Sequence, residues 1–180
     1  MKKTLIIVLL LFSFFVVNAQ NDTTVYQNEN KNEVKLNAAL LLFGTFEATY
    51  ERILNSKSAL GISALTVFSK DNNEDVNYMI SPYYRRYFGK KYASGFFAEG
   101  FGMLSSIDGK RITDIEGNLT LNEEPDVIDM SLGIGIGSKW VMKSGFIIEI
   151  NAGYGKLLFN ADKTDHTIVA RFGLHLGYRF

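Results

Sequence analysis

Nine charged residues stand singly among alternating apolar and small or polar neighbours: Lys35, Glu47, Glu51, Arg85, Glu99, Lys139, Glu149, Arg171 and Arg179. Carboxylates and cations so placed can line an ion path, or pair with one another as a plug. Three other groups invite a chemical reading. His166 and His175 are the only imidazoles, hence the only general-base candidates near neutral pH. Asp71-Asn72-Asn73-Glu74-Asp75 is dense in oxygen ligands but lacks the glycine and the ligand spacing of a calcium loop. Gly133-Ile134-Gly135-Ile136-Gly137 has the look of a phosphate-cradling loop, but its glycines alternate with isoleucines inside one strand and no helix follows.

These candidates fall short of catalysis. An enzyme acting on lipid A would need a nucleophile and an orienting acid converging on His166. Thr167 faces away by one residue, and no serine is assigned beside it. Two separated histidines do not make a metal site. The chain contains no Cys, which excludes disulfides, thiolate zinc, iron–sulfur ligation and a cysteine nucleophile. Its 19 basic and 19 acidic residues give no basic footprint for nucleic acid. The reading is a non-enzymatic protein with no cofactor and no metal.

The elements that must position the charges are strands. Residues recur with a period of two, the pattern of a strand with two unlike faces. Ile168, Ala170, Phe172, Leu174, Leu176, Tyr178 and Phe180 share one face of the last segment, opposite Val169, Arg171, Gly173, His175, Gly177 and Arg179. The same rhythm sets Met130, Leu132, Ile134, Ile136 and Trp140 against Ser131, Gly133, Gly135, Gly137 and Lys139, and Phe146, Ile148, Ile150, Ala152 and Tyr154 against Ile147, Glu149, Asn151, Gly153 and Gly155. Eight segments are expected, at 34–42, 46–54, 58–68, 77–88, 95–105, 127–141, 145–158 and 166–180. An even number of such segments predicts an all-β fold, an eight-stranded antiparallel up-and-down transmembrane β-barrel.

The faces choose lipid over water. A soluble barrel turns its large apolar residues inward, whereas here the other face mixes glycine with the nine charges. Glycine packs nothing on a solvent-facing strand, but inside a narrow barrel it leaves room for long side chains from neighbouring strands. The bore of eight strands is wide enough only for side chains to fill it, so the charges read as a structural plug of mutual ion pairs. A narrow, porin-like channel for small solutes is the alternative. Tyr50, Tyr84, Trp140, Tyr154, Tyr178 and Phe180 are candidates for interfacial girdles.

The N-terminus reads as an address. Lys2 and Lys3 precede an apolar stretch from Leu5 to Val17, broken only by Ser13, and Val17-Asn18-Ala19 supplies a cleavage site after Ala19. The stretch is short of the ~20 residues of a helical span. The expected organisation is a signal peptide at 1–19, a flexible lead-in at 20–32 and the barrel domain at 33–180. Removing the signal leaves 17 basic against 19 acidic residues, a charge of −2. With both termini at the periplasmic end, the turns there carry Lys57, Lys90, Lys91 and Lys143 and no acid. The outward connections (Gly44-Thr45, 69–76, 106–126 and 160–165) carry 11 acids and 4 bases.

Leu174-His175-Leu176-Gly177-Tyr178-Arg179-Phe180 resembles the C-terminal signal of bacterial outer-membrane barrels, with Leu176, Tyr178 and Phe180 at its alternate positions. That resemblance implies recognition by the barrel-assembly machinery. The whole chain resembles small barrels of the outer-membrane protein X and outer-membrane protein A type. It is most similar to a domain-of-unknown-function family of such barrels from Gram-negative bacteria. Lys35-Leu36-Asn37, Tyr50-Glu51-Arg52 and Ile80-Ser81-Pro82-Tyr83-Tyr84-Arg85-Arg86-Tyr87-Phe88 carry the likeness. The chain departs from that pattern at Tyr83, where an acidic residue usually follows the proline. The resemblance implies a fold and an outer-membrane location and no established activity; the expected role is structural or surface-interactive, for a monomer among outer-membrane lipids and lipopolysaccharide.

Overall fold

The computed structural model describes residues 30–68, 76–107, 111–113, 119–123, 126–160, 164 and 167–180. The chain forms β1 (Asn32–Asn37), α1 (Ala38–Leu42), β2 (Thr45–Asn55), β3 (Ser58–Val67), β4 (Val76–Tyr87), β5 (Gly95–Ile107), β6 (Arg111–Thr113), β7 (Leu119–Glu123), β8 (Val127–Val141), β9 (Phe146–Leu157) and β10 (Ile168–Arg179). Eight of these strands close into a barrel in the order β1-β10-β9-β8-β5-β4-β3-β2, while β6 and β7 pair as a separate hairpin. Every pairing in the barrel is antiparallel. Closure matters because an open sheet would leave a row of unpaired backbone groups at each edge.

The seam lies between the first and last strands. Lys35 stands opposite Gly177 and Asn37 opposite His175. The seam is finished by a reciprocal backbone pair, Asn32 N–H to the Phe180 carbonyl at 3.0 Å and Phe180 N–H to the Asn32 carbonyl at 2.8 Å. Strand β1 is thus already in the sheet at Asn32, which belongs to the barrel rather than to a lead-in.

Two expectations about connections are corrected. The first segment does not run extended to residue 42: it leaves the strand after Asn37 and turns through α1. Ala38-Ala39-Leu40-Leu41-Leu42 does not alternate in polarity and consists of strong helix formers. Asn37 caps the turn, its side chain accepting from the Leu40 N–H at 3.3 Å. The connection from β1 to β2 is therefore this helix and its exit turn, not Gly44-Thr45 alone. The 106–126 connection likewise holds structure of its own, since β5 extends to Ile107 and the β6–β7 hairpin follows.

Alternation places one face of each barrel strand outside. Leu36, Tyr50, Ile62, Ile80, Leu104, Ile134, Ile150 and Phe172 come one from each of the eight strands, and all are exposed. A closed belt of this kind exceeds the apolar patches of a few hundred Å² that water-soluble monomers tolerate. No helix among the described residues is long and apolar enough to cross a membrane.

Inside, large and small residues interlock. Phe97 and Phe101 point inward from β5 beside Glu99. A Cβ at Gly133 would strike the Phe101 ring and one at Gly137 the Phe97 ring, while a Cβ at Gly153 would come within 3.2 Å of Phe101. The glycines of β8 and β9 thus make the space that the aromatics of β5 fill. Not every glycine serves this purpose: Gly100 is exposed, and a Cβ there would meet nothing within 4 Å. Gly133→Val should therefore lower stability by about 1–3 kcal/mol through overpacking. Gly100→Ala should be nearly neutral. Urea unfolding of the refolded proteins measures both, and equal losses would refute this packing account.

Candidate functional site

Among the described residues the inward face carries six acids and five bases: Glu33, Glu47, Glu51, Glu99, Asp129 and Glu149 with Lys35, Arg85, Lys139, Arg171 and Arg179. All nine sequence-assigned charges lie on this face. Eight of them are buried, and the Arg179 side chain, at the end of the barrel, is 11% exposed. The alternation that turns their outer neighbours out turns these residues in.

Glu51 on β2 is the hub. Its Oε2 accepts from Lys35 Nζ at 2.8 Å, Arg85 Nη1 at 3.0 Å and the Tyr83 hydroxyl at 2.7 Å. Its Oε1 accepts from Lys139 Nζ at 2.8 Å and the Tyr87 hydroxyl at 2.6 Å. One carboxylate thus gathers donors from β1, β4 and β8. Glu149 on β9 closes the circuit, accepting from Lys35 at 2.7 Å and from Arg85 at 2.7 Å. Arg85 turns the other side of its fork to Glu99 Oε2, with Nε at 3.0 Å and Nη2 at 2.7 Å. Its guanidinium also lies 3.7 Å from the centre of the Phe97 ring, so it is stacked as well as paired.

Lys139 links the hub to the end of the barrel where β1 begins and β10 finishes. Its Nζ donates to Glu33 Oε2 at 2.8 Å, and the Arg179 Nε donates to Glu33 Oε1 at 2.8 Å. Arg179 then holds the β4–β5 connection across this end, donating to the Tyr92 carbonyl at 3.3 Å and the Ala93 carbonyl at 2.8 Å. Ala93 is fully buried and adopts a left-handed backbone with φ of 40°, a strained conformation for a residue with a Cβ. The Arg179 contact and the Ala93 N–H bond to the Ser56 carbonyl at 2.8 Å hold it there. Ile53, Ala59, Tyr87, Ala93 and Phe97 form an apolar stopper beneath the charges.

Toward the opposite end the contacts loosen. Arg171 donates to Ser81 Oγ at 3.2 Å and Ser63 Oγ at 3.1 Å, with Glu99 at 3.8 Å and Glu47 at 3.9 Å. His175 faces the lumen, its Nε2 3.7 Å from Glu47 Oε2, and Glu47 accepts from Asn37 Nδ2 at 2.7 Å. A second apolar cluster, of Met79, Tyr83, Phe101, Met103, Ile107, Leu157 and Val169, packs inside the barrel. The inner face is therefore not only glycine and charge, as alternation alone implied, because several large apolar residues share its phase.

Three participants were missed in the sequence. Glu33 lies two residues before Lys35, in the same phase, but just outside the segment drawn from residue 34. Tyr83 and Tyr87 flank Arg85 at the same spacing, so they too point inward and donate to Glu51. Tyr83, where an acid was expected, contributes a hydroxyl donor instead of a further negative charge. His166 and the acidic stretches at 69–75, 108–110, 114–118 and 161–163 lie outside the described residues, as do Asp165 and the segment 1–29. Among the described residues no group of three or more His, Cys, Asp or Glu is placed to hold a metal ion.

Residues 5–172 match the model of a family described as a protein of unknown function (DUF3575). The chain belongs to that family. No curated protein matches the sequence. Among solved structures, the chain is similar to the outer membrane protein Ail of Yersinia pestis, determined as a backbone structure in a phospholipid bilayer nanodisc. The two are 17% identical over 84% of this chain and 100% of that one, with a TM-score of 0.40. The family description assigns no activity, so the chemistry of this member rests on its own lumen.

Glu51→Gln would leave Lys35, Arg85 and Lys139 sharing too few carboxylates in a buried site, and should destabilise the barrel by about 3–5 kcal/mol. Adding Lys139→Met restores the charge balance and should recover part of that loss. Unfolding of the single and double variants measures the coupling. Strict additivity would show that the two residues do not act as a unit.

Proposed function

We propose that the chain is an integral outer-membrane barrel whose lumen is sealed, and that its role is structural or surface-interactive rather than conductive or catalytic. The observation that carries this reading is the Glu51 hub: five donors converge on one buried carboxylate, leaving its charge compensated by fixed groups. An ion path needs charges that can be offered to a passing ion. Here Lys35, Arg85, Lys139, Glu51 and Glu149 are all nearly inaccessible and spend their bonds on one another. The stopper of Ile53, Tyr87, Ala93 and Phe97 closes the same bore at one end.

The membrane placement is supported by the closed apolar belt and by the pairing of all barrel strands, since a barrel satisfies its backbone without water. Tyr50, Tyr84, Trp140, Tyr154, Tyr178 and Phe180 are all exposed on the outer face, as girdle residues would be. Leu176, Tyr178 and Phe180 are on this face too, in the phase that an assembly signal uses. In this reading the end where β1 begins and β10 finishes faces the periplasm and the long connections face outward, in contact with lipopolysaccharide.

The test is electrical. Refolded protein in planar bilayers should give no reproducible unitary current, and steady single-channel steps would refute the sealed lumen. The same preparation should migrate at a different apparent mass until boiled, and cell fractionation should recover it with the outer membrane. Identical migration before and after boiling would undermine the folded membrane barrel.

A further inference from the structure

The end of the barrel where β1 begins and β10 finishes is ringed by cations with no exposed acidic counterpart among the described residues. Lys57, Lys90, Lys91 and Lys143 lie exposed on its three turns, and Arg52 and Arg86 stand exposed on the outer wall just inside it. Among the described residues none of these six forms an ion pair, and the described glutamates of the same end, Glu33 and Glu51, are buried in the lumen. We propose that this collar binds the phosphates of anionic phospholipid headgroups in the leaflet at that end. The inference rests on the membrane reading above and adds the lipid class that the barrel selects.

The position of the two arginines decides between a lipid and a soluble partner. Arg52 is in outward phase with Tyr50 and Leu54, and stands opposite the exposed Leu60. Arg86 is in outward phase with Tyr84 and Phe88, and stands opposite Ala98. Both guanidiniums are therefore set into the margin of the apolar belt, beside aromatic rings, where headgroups meet hydrocarbon. A partner docking on the end of the barrel would meet the turn lysines but not this lateral pair. Arg52 is also pre-positioned, since its Nη1 donates to Asn32 Oδ1 at 2.6 Å, and the Tyr50 hydroxyl donates to the same oxygen at 2.8 Å. An amide oxygen orients the guanidinium without neutralising it, and a planar fork suits a phosphate.

The opposite end offers an internal control. Lys156 is exposed on the outer face of β9 opposite Ile168 and Leu132, near the loop end. A general attraction of any exposed cation to anionic lipid would involve it equally, whereas the collar would not.

The experiment compares the full mature chain folded into phosphatidylcholine vesicles with and without phosphatidylglycerol, following the heat-modifiable band against temperature. Phosphatidylglycerol should raise the midpoint by about 4 °C or more, and about 0.5 M NaCl should remove most of the gain by screening. Arg52→Gln combined with Arg86→Gln should abolish at least half of the gain while folding normally in phosphatidylcholine, and Lys156→Gln should keep all of it. Equal midpoints in the two lipids, a gain that survives salt, or an equal loss in the Lys156→Gln protein would each overturn the collar. Failure to insert into either vesicle would instead overturn the membrane reading, and the collar with it. Normal insertion without lipid discrimination overturns the collar alone.

Discussion

A carboxylate removed from water must be surrounded by donors, and in this barrel that requirement centres on Glu51. Left unpaired, an ion in such a place costs several kcal/mol. With Lys35, Arg85, Lys139, Tyr83 and Tyr87 around it, both oxygens are occupied, and strands β1, β2, β4 and β8 are tied together through one group. Glu149 brings in β9 and Glu33 brings in β10 through Arg179. The ladder hydrogen bonds hold each strand to its neighbours, while this network reaches across the bore and fixes the strands that are not neighbours. An apolar core would fill the space with less electrostatic risk.

The network can exist only because the wall beside it is thin. Gly133, Gly137 and Gly153 let Phe97 and Phe101 lie against the opposite backbone, and these rings in turn give Arg85 and Arg171 aromatic faces to stack on. At Gly61 an added Cβ would collide with the Tyr83 ring, so the same economy of space positions a hydroxyl on the hub. Turn chemistry follows the same logic at Gly145, whose φ of 89° and close approach to the Arg179 carbonyl suit no other residue. Volume taken by the aromatics of one strand is returned by the glycines of two others.

The two faces of each strand divide the physical work. The inner face sets five acids among five bases, while a sixth acid, Asp129, is held by the backbone N–H groups of Met130, Phe159 and Asn160. The outer face is apolar round the whole circumference and basic at one margin. A neutral total for the chain, with 19 residues of each sign, conceals this separation, because charge is sorted by face and by end rather than spread evenly.

The sequence by itself determined the number of barrel strands, the two faces of the last three and the inward direction of all nine assigned charges. Period two is a local property of an extended chain, so successive side chains must diverge whatever the rest of the molecule does. It also pointed to the family, through Tyr50-Glu51-Arg52 and the Ile80–Phe88 stretch, to which the chain belongs. Only the tertiary structure decided which charges meet. Lys35 and Glu149 are separated by 114 positions and Lys139 and Glu33 by 106, and the stagger of strands round a closed barrel brings them within hydrogen-bond reach. The same closure made Glu51 the hub rather than Glu47, drew in Glu33, Tyr83 and Tyr87, and brought Arg179 onto the Ala93 carbonyl. The helical turn after Asn37 lay between the two cases. Its Ala-Leu composition was present in the sequence, but a strand expected to reach residue 42 obscured it. Alternation fixes direction at each residue, whereas distance across the lumen depends on register and shear, which no local segment encodes.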